Sequence, residues 1–186
     1  MLKERHQNKV RIIGGIHRSR QITFQAACGL RPSADMVREK LFNWLGQNLY
    51  GKSVLDLFSG SGVMGLEAAS REAKHVIMVE KNPNTVRQIS KNIDMLGITS
   101  AQIYCEDAML FLKNTNDKFD IIFLDPPYAW ENWDELLHLL LPVLNEGANV
   151  YIESNRFISL PEYLNCVKEG KSGMSRFMLA HFVASE

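Results

Sequence analysis

Val54-Leu55-Asp56-Leu57-Phe58-Ser59-Gly60-Ser61-Gly62-Val63-Met64-Gly65 reads as a buried strand, a glycine-rich turn and the start of a helix. The glycines let the backbone approach a ligand closely, and a helix N-terminus offers N–H groups with no intrahelical partner. Working outward, strand-like runs at 75–79, 101–104, 119–124 and 149–153 follow the first, at 53–57. Helical patterns at about 63–71, 83–96, 107–113 and 131–141 separate them. Asn82-Pro83 marks one start clearly, a capping residue followed by proline at the first helical position. Strands alternating with helices predict a parallel sheet covered on both faces. After Glu153 the pattern changes to two strands, 163–169 and 175–183, with a turn at 170–173 and no crossover helix. The expected fold is α/β and Rossmann-like, a seven-stranded mostly parallel sheet ending in an antiparallel hairpin.

Upstream, short alternating runs at 10–13 and 21–24 flank Gly14-Gly15 and predict a small β ribbon. Ser33 is the expected N-cap of a helix in which Met36, Val37, Lys40, Leu41, Trp44 and Leu45 fall at helical spacing. The chain is thus expected to divide into a basic arm and ribbon, 1–32, and one compact unit, 33–186. The 186 residues carry no net charge, but the first 40 hold nine Lys/Arg against three acids, leaving the rest acidic. A basic arm on an acidic body predicts a polyanionic partner at that end. No apolar run is long enough to cross a bilayer, and the charged N-terminus lacks an apolar signal core. Cys28, Cys105 and Cys166 share no metal-type spacing, so reduced thiols in a cytoplasmic protein without a metal site are expected.

Gly60-x-Gly62-x-x-Gly65 satisfies the dinucleotide fingerprint, with Glu80 twenty residues after Gly60, which makes a nicotinamide dehydrogenase a competitor. Such an enzyme needs a substrate domain with a catalytic His, Lys or Tyr, and no such constellation is present. The acids favour S-adenosylmethionine (SAM). Asp56 ends the first strand, where its carboxylate can meet an ammonium. Glu80 ends the second and suits ribose hydroxyls. Glu106-Asp107 ends the third, where an acid can accept from an adenine amine. Phe58, Ser59, Gly60 and Gly62 in the loop, with Lys81, Ala108 and Asp125, complete the expected cofactor set.

The fourth strand ends in Asp125-Pro126-Pro127-Tyr128. Consecutive prolines stop a strand and stiffen the chain, so an acid, rigid carbonyls and an aromatic ring stand together at the edge where open α/β sheets bind ligands. The tetrapeptide resembles motif IV of class I methyltransferases that act on planar exocyclic nitrogens. Such an amine delocalises its lone pair into the ring. Hydrogen bonds to the Asp125 carboxylate and Pro126 carbonyl would favour a pyramidal nitrogen, while Tyr128 stacks on the base. Reaching this pocket requires an unstacked base.

Arg11-Ile12-Ile13-Gly14-Gly15, His17-Arg18-Ser19-Arg20 and Leu30-Arg31-Pro32-Ser33-Ala34-Asp35-Met36-Val37-Arg38-Glu39 running on to Trp44-Leu45 closely resemble the RsmD family of bacterial 16S rRNA guanine-N2 methyltransferases. Phe58-Ser59-Gly60-Ser61-Gly62, the Asp125 tetrapeptide and Tyr151-Ile152-Glu153 extend the resemblance over essentially the whole chain. It implies a class I SAM-dependent fold, methylation of a guanine N2, and 16S rRNA within the assembled 30S subunit as partner of a monomeric enzyme. Asp125, Pro126, Pro127 and Tyr128 become the expected catalytic set. Arg11, His17, Arg18, Arg20, Arg31 and Arg38 become the expected RNA-binding set, with bracing of the first helix an alternative for Arg31 and Arg38. Ser19 departs from the family, where Gly is frequent between the two arginines. The tetrapeptide also occurs in DNA adenine-N6 methyltransferases, although this chain leaves no room for a target-recognition domain. A non-catalytic RNA-binding assembly factor on the same scaffold is the further alternative.

Overall fold

The computed structural model describes residues 7–25 and 33–184. Strands β1 (Gln7–Arg11) and β2 (Gln21–Gln25) form an antiparallel ribbon, followed by helix α1 (Asp35–Leu45). Strand β3 (Ser53–Asp56), helix α2 (Val63–Ser70), strand β4 (His75–Glu80), helix α3 (Pro83–Leu96) and strand β5 (Ala101–Cys105) make two steps of alternation. Helix α4 (Ala108–Asn114), strand β6 (Phe119–Leu124), helix α5 (Trp133–Leu140) and strand β7 (Leu144–Ser154) continue it. Strands β8 (Leu164–Ser172) and β9 (Ser175–Phe182) close the chain as a hairpin.

One sheet takes the order β5-β4-β3-β6-β7-β9-β8, with β9 antiparallel to β7 and β8 and the other pairs parallel. The chain runs from β3 outward to β5, then returns to β6 on the other side of β3. That reversal opens a crevice between the C-terminal ends of β3 and β6. The central strands read as continuous apolar runs because helices bury both faces. One core holds Phe42, Phe123, Tyr151 and Phe177 with residues of α1, α2 and α3. The other holds Leu55, Ile122, Leu124 and Val150 with residues of α4 and α5.

The seven strands and their order of hairpin and crossovers match the sequence-based expectation, and Asn82 caps α3 by accepting from Asn84 N at 2.9 Å. Three local expectations are corrected. The hairpin turn lies at Gly173-Met174, not at 170–173, because the strand pairing runs on to Ser172↔Ser175. Ser33 does not cap α1, whose N-cap residue is Ala34 with no side-chain cap bond. Met36 is exposed, and the buried face of α1 is Val37, Arg38, Leu41 and Phe42.

The ribbon is not a free arm. Ile12 and Ile22 are fully buried in the first core, and Asn92 of α3 donates to the Thr23 carbonyl at 2.8 Å. At the turn, Gly15 has φ +75, and a Cβ there would stand 1.9 Å from the Ser70 carbonyl oxygen. Only glycine allows that approach.

Candidate active site

Three carboxyl groups share one face of the sheet at the crevice. Asp56 pairs in register with Phe123, two residues before Asp125, and Leu124 pairs with Ile152, one residue before Glu153. Side chains alternate along strands, so Asp56, Asp125 and Glu153 all point to the side covered by α1 and α2. They line a cavity of about 490 Å³, a volume typical of small-molecule sites. Ser33, Phe58, Glu80, Asp107, Tyr128 and Trp130 contribute to the same wall.

The glycine loop is fixed from both ends. Asp56 Oδ2 accepts from Gly65 N at 3.0 Å, tying the strand end to the first turn of α2. Ser59 Oγ donates to the Asp56 carbonyl at 2.9 Å and accepts from Val79 N at 3.1 Å. Glu80 Oε2 accepts from Gly60 N at 3.1 Å and Oε1 from Asn82 N at 2.9 Å. Asp107 caps α4, Oδ1 accepting from Met109 N and Leu110 N. Each of the three carboxylates, Asp56, Glu80 and Asp107, retains unfilled acceptor sites for a ligand.

Burial pushes the Asp56 carboxyl up to about 7, opposed by the Gly65 N–H and reinforced by Glu80. Asp125 is held well above the usual carboxylate range by burial first, then by Glu153 and Asp56, with the Ser33 hydroxyl opposing. A pocket that penalises its own negative charges in this way favours a cationic ligand. The Trp130 indole N–H adds a buried donor with no partner among the described residues, and its ring meets Phe58 edge-on at 5.2 Å. Pro126 is buried, whereas the Tyr128 ring stands 62% exposed at the rim.

All expected cofactor residues, Asp56, Phe58, Ser59, Gly60, Gly62, Glu80, Lys81, Asp107, Ala108 and Asp125, therefore fall on this cavity or its glycine loop. The expected RNA-facing residues do not gather at it. Arg38 is 0% exposed: it binds Glu67 at 3.0 Å, Asp35, and the Arg11 and Ser33 carbonyls. A guanidinium enclosed in this way cannot meet a phosphate, so its role is to brace α1. Arg11 is exposed but paired with Asp35 at 3.3 Å. Arg18 and Arg20 are exposed in a turn anchored by His17 N on Ser70 Oγ, 2.9 Å. Ser70 ends α2 about 12 Å from its glycine-loop start. Arg31 lies outside the described residues.

Four pocket residues were not anticipated in these roles. Ser33 read as a helix cap, Trp130 and Ser175 belonged to none of the expected sets, and Glu153 entered only among the residues that carry the family resemblance. Counting alternation along β7 from the buried Tyr151 was enough to find Glu153, as a fifth acid at a strand end.

The family described as Conserved hypothetical protein 95 matches residues 10–181. The chain is 35% identical to "Ribosomal RNA small subunit methyltransferase D" of Haemophilus influenzae, covering 93% of this chain and 94% of that relative. It is 37% identical to the protein of the same name from Escherichia coli K12, covering 87% and 83%. Among solved structures, yhhF from Escherichia coli matches with a TM-score of 0.88 at 32% identity, covering 96% of this chain and all of that one. The SAM-dependent methyltransferase from Agrobacterium tumefaciens shares the fold at 21% identity, TM-score 0.63, over 82% of this chain and 54% of that one. The fold is that of the SAM-dependent methyltransferases, and the cavity's charge-averse carboxyls, orphan donor and glycine loop fit SAM.

Proposed function

The chain belongs to the ribosomal RNA small subunit methyltransferase D family, and on that footing we propose that it transfers a methyl group from SAM to the exocyclic N2 of a guanine in 16S rRNA. The observation that carries this reading is Asp125-Pro126 at the end of β6, opposite Asp56 across the crevice and beside the exposed Tyr128 ring. When bound, SAM supplies an electrophilic methyl group.

The chain's own residues divide the labour around it. The free Asp56 oxygen receives the cofactor's ammonium, Glu80 receives its ribose hydroxyls, and Asp107 accepts from its adenine amine. On the acceptor side, Tyr128 stacks on an unstacked base. The Asp125 carboxylate and Pro126 carbonyl accept from the two N2 protons and aim the nitrogen lone pair inward, a catalysis of orientation and electrostatic stabilisation. Asp125, held above the usual carboxylate range by burial and Glu153, is basic enough to take the proton released on transfer. His17, Arg18 and Arg20 contact phosphates away from the pocket, in a sequence-blind and salt-dependent way. Such a separated contact suits a large folded acceptor, the cytoplasmic 30S subunit, engaged by a monomer.

The test is transfer of tritiated methyl from SAM to small subunits of cells lacking this protein, run beside duplex DNA. Label enters the subunits alone on this reading; label in DNA and not in the subunits contradicts it.

A further inference from the structure

We infer that Glu153 reads the guanine N1–H, and so selects guanine over bases that share its amine but lack that proton. The inference rests on the guanine-N2 reading and deepens it.

Leu124 and Ile152 are register partners on neighbouring parallel strands, so the next residues, Asp125 and Glu153, leave the sheet side by side on the same face. Adjacent strands lie about 4.8 Å apart. Both side chains line the cavity. The Glu153 carboxylate is held there rather than free to swing: Oε2 accepts from the Tyr151 hydroxyl at 2.9 Å and Oε1 from the Ser175 hydroxyl at 2.8 Å. Ser175 reaches the spot because Glu153 pairs with Phe177 on β9, and Ser175 is two residues further along the same face. Tyr151 is fully buried, so the bracket has a rigid base.

The acceptor side of the pocket thus offers two carboxyl groups in a row, that of Glu153 held in place, where one would suffice to orient an amine. Two adjacent acceptors match an edge with two adjacent donors. Guanine has that edge, its N1–H beside its N2 amine. Adenine does not, since its N1 is an acceptor and would face a carboxylate lone pair to lone pair. With the N2 protons on Asp125 and the Pro126 carbonyl, the N1–H falls to Glu153. A site built to hydrogen-bond a substrate proton rejects the analogue without it, because the acceptor lone pair aimed at that proton meets another lone pair instead.

2-Aminopurine separates this role from a structural one. It keeps the 2-amino group but has an unprotonated N1. Small subunits are reconstituted with either guanosine or 2-aminopurine riboside at the methylated position, and kcat/KM is measured for each. The wild-type protein should prefer guanosine by roughly 10- to 100-fold, the worth of one charge-assisted hydrogen bond. Glu153→Gln retains partners for Tyr151 and Ser175 but presents an amide donor, so the preference should fall towards unity while SAM affinity stays within about threefold. An unchanged guanosine preference in Glu153→Gln overturns the inference, since damage to the strand bracket alone would slow both substrates equally. If Glu153→Gln fails to bind SAM, Glu153→Asp replaces it, keeping the charge but withdrawing it by one methylene. Guanosine transfer should then fall while 2-aminopurine transfer holds, and equal losses overturn the inference. N2-methylguanosine formed with an unshifted preference removes only the role of Glu153. No N2-methylguanosine from the wild-type protein removes the guanine reading with it.

Discussion

The Asp56 carboxyl is pushed up to about 7 because burial disfavours its charged form more than the Gly65 N–H supports it. An acid raised on folding favours the folded state most at low pH and withdraws that contribution as pH climbs from about 4 through about 7. The ligand-free protein should therefore lose thermal stability between about pH 4 and pH 7. SAM affinity should rise over the same window, because an ammonium favours the ionised carboxylate. Calorimetry across that range checks both, and Asp56→Asn should flatten both slopes. A second expectation concerns Asp125→Ala: transfer falls on the order of 100-fold or more, while SAM affinity measured by calorimetry changes little. Ser19 supplies a third. It holds φ +69 where the resemblance expects glycine, and a non-glycine residue there stores about 1 kcal/mol. Ser19→Gly should raise stability by that amount in urea unfolding. At this scale the sequence is unevenly legible. Asp56, Glu80 and Asp125 declared themselves by standing at strand ends, whereas Ser33 misled because a serine before a helix is a local signal that tertiary packing overrode.

Among the elements, the ribbon, α1 and α2 meet at one buried carboxylate. Glu67 accepts from Ile13 N at 3.0 Å, Gly14 N at 2.7 Å, Arg38 at 3.0 Å and Arg71 at 3.1 Å, and is itself fully buried. The same helix that carries the glycine loop at its start thus clamps the ribbon turn further along. Removing one partner from a buried ionic network strands the other charge and costs about 3–5 kcal/mol. Arg38→Met should destabilise the fold by about that much in denaturant unfolding, and amide exchange at Ile13 and Gly14 should accelerate most. Bracing of the first helix was an open alternative for Arg38 in the sequence, but nothing in the periodicity of 36–45 named Glu67 as its partner, which only the placement of α2 supplies. The strands and α3 were legible because short apolar runs and the Asn82-Pro83 start are local. The hairpin turn was misplaced because cross-strand pairing, not the glycines at 170 and 173 alone, decides where strands separate.

At the scale of the whole molecule, the reversal between β3 and β6 creates the cavity and the acids from five strand ends fill its walls. The reversal and four of those acids, though not Glu153, followed from the alternation of strands and helices. The placement of the basic residues did not, because charge asymmetry along a chain says nothing of which end of the sheet receives it. The exposed Arg18 and Arg20 stand by the far end of α2, so subunit binding and cofactor binding should be separable. Replacing both with alanine should weaken subunit affinity and reduce the slope of log affinity against log salt by about 1.4, with SAM affinity unchanged. The central claim is a guanine N2 methylated by the Asp125 end of a SAM cavity. Its most direct test is nucleoside mass spectrometry of 16S rRNA from small subunits incubated with SAM and this protein. The account predicts one new N2-methylguanosine, absent with Asp125→Ala; N6-methyladenosine, or no methylated nucleoside at all, would contradict it.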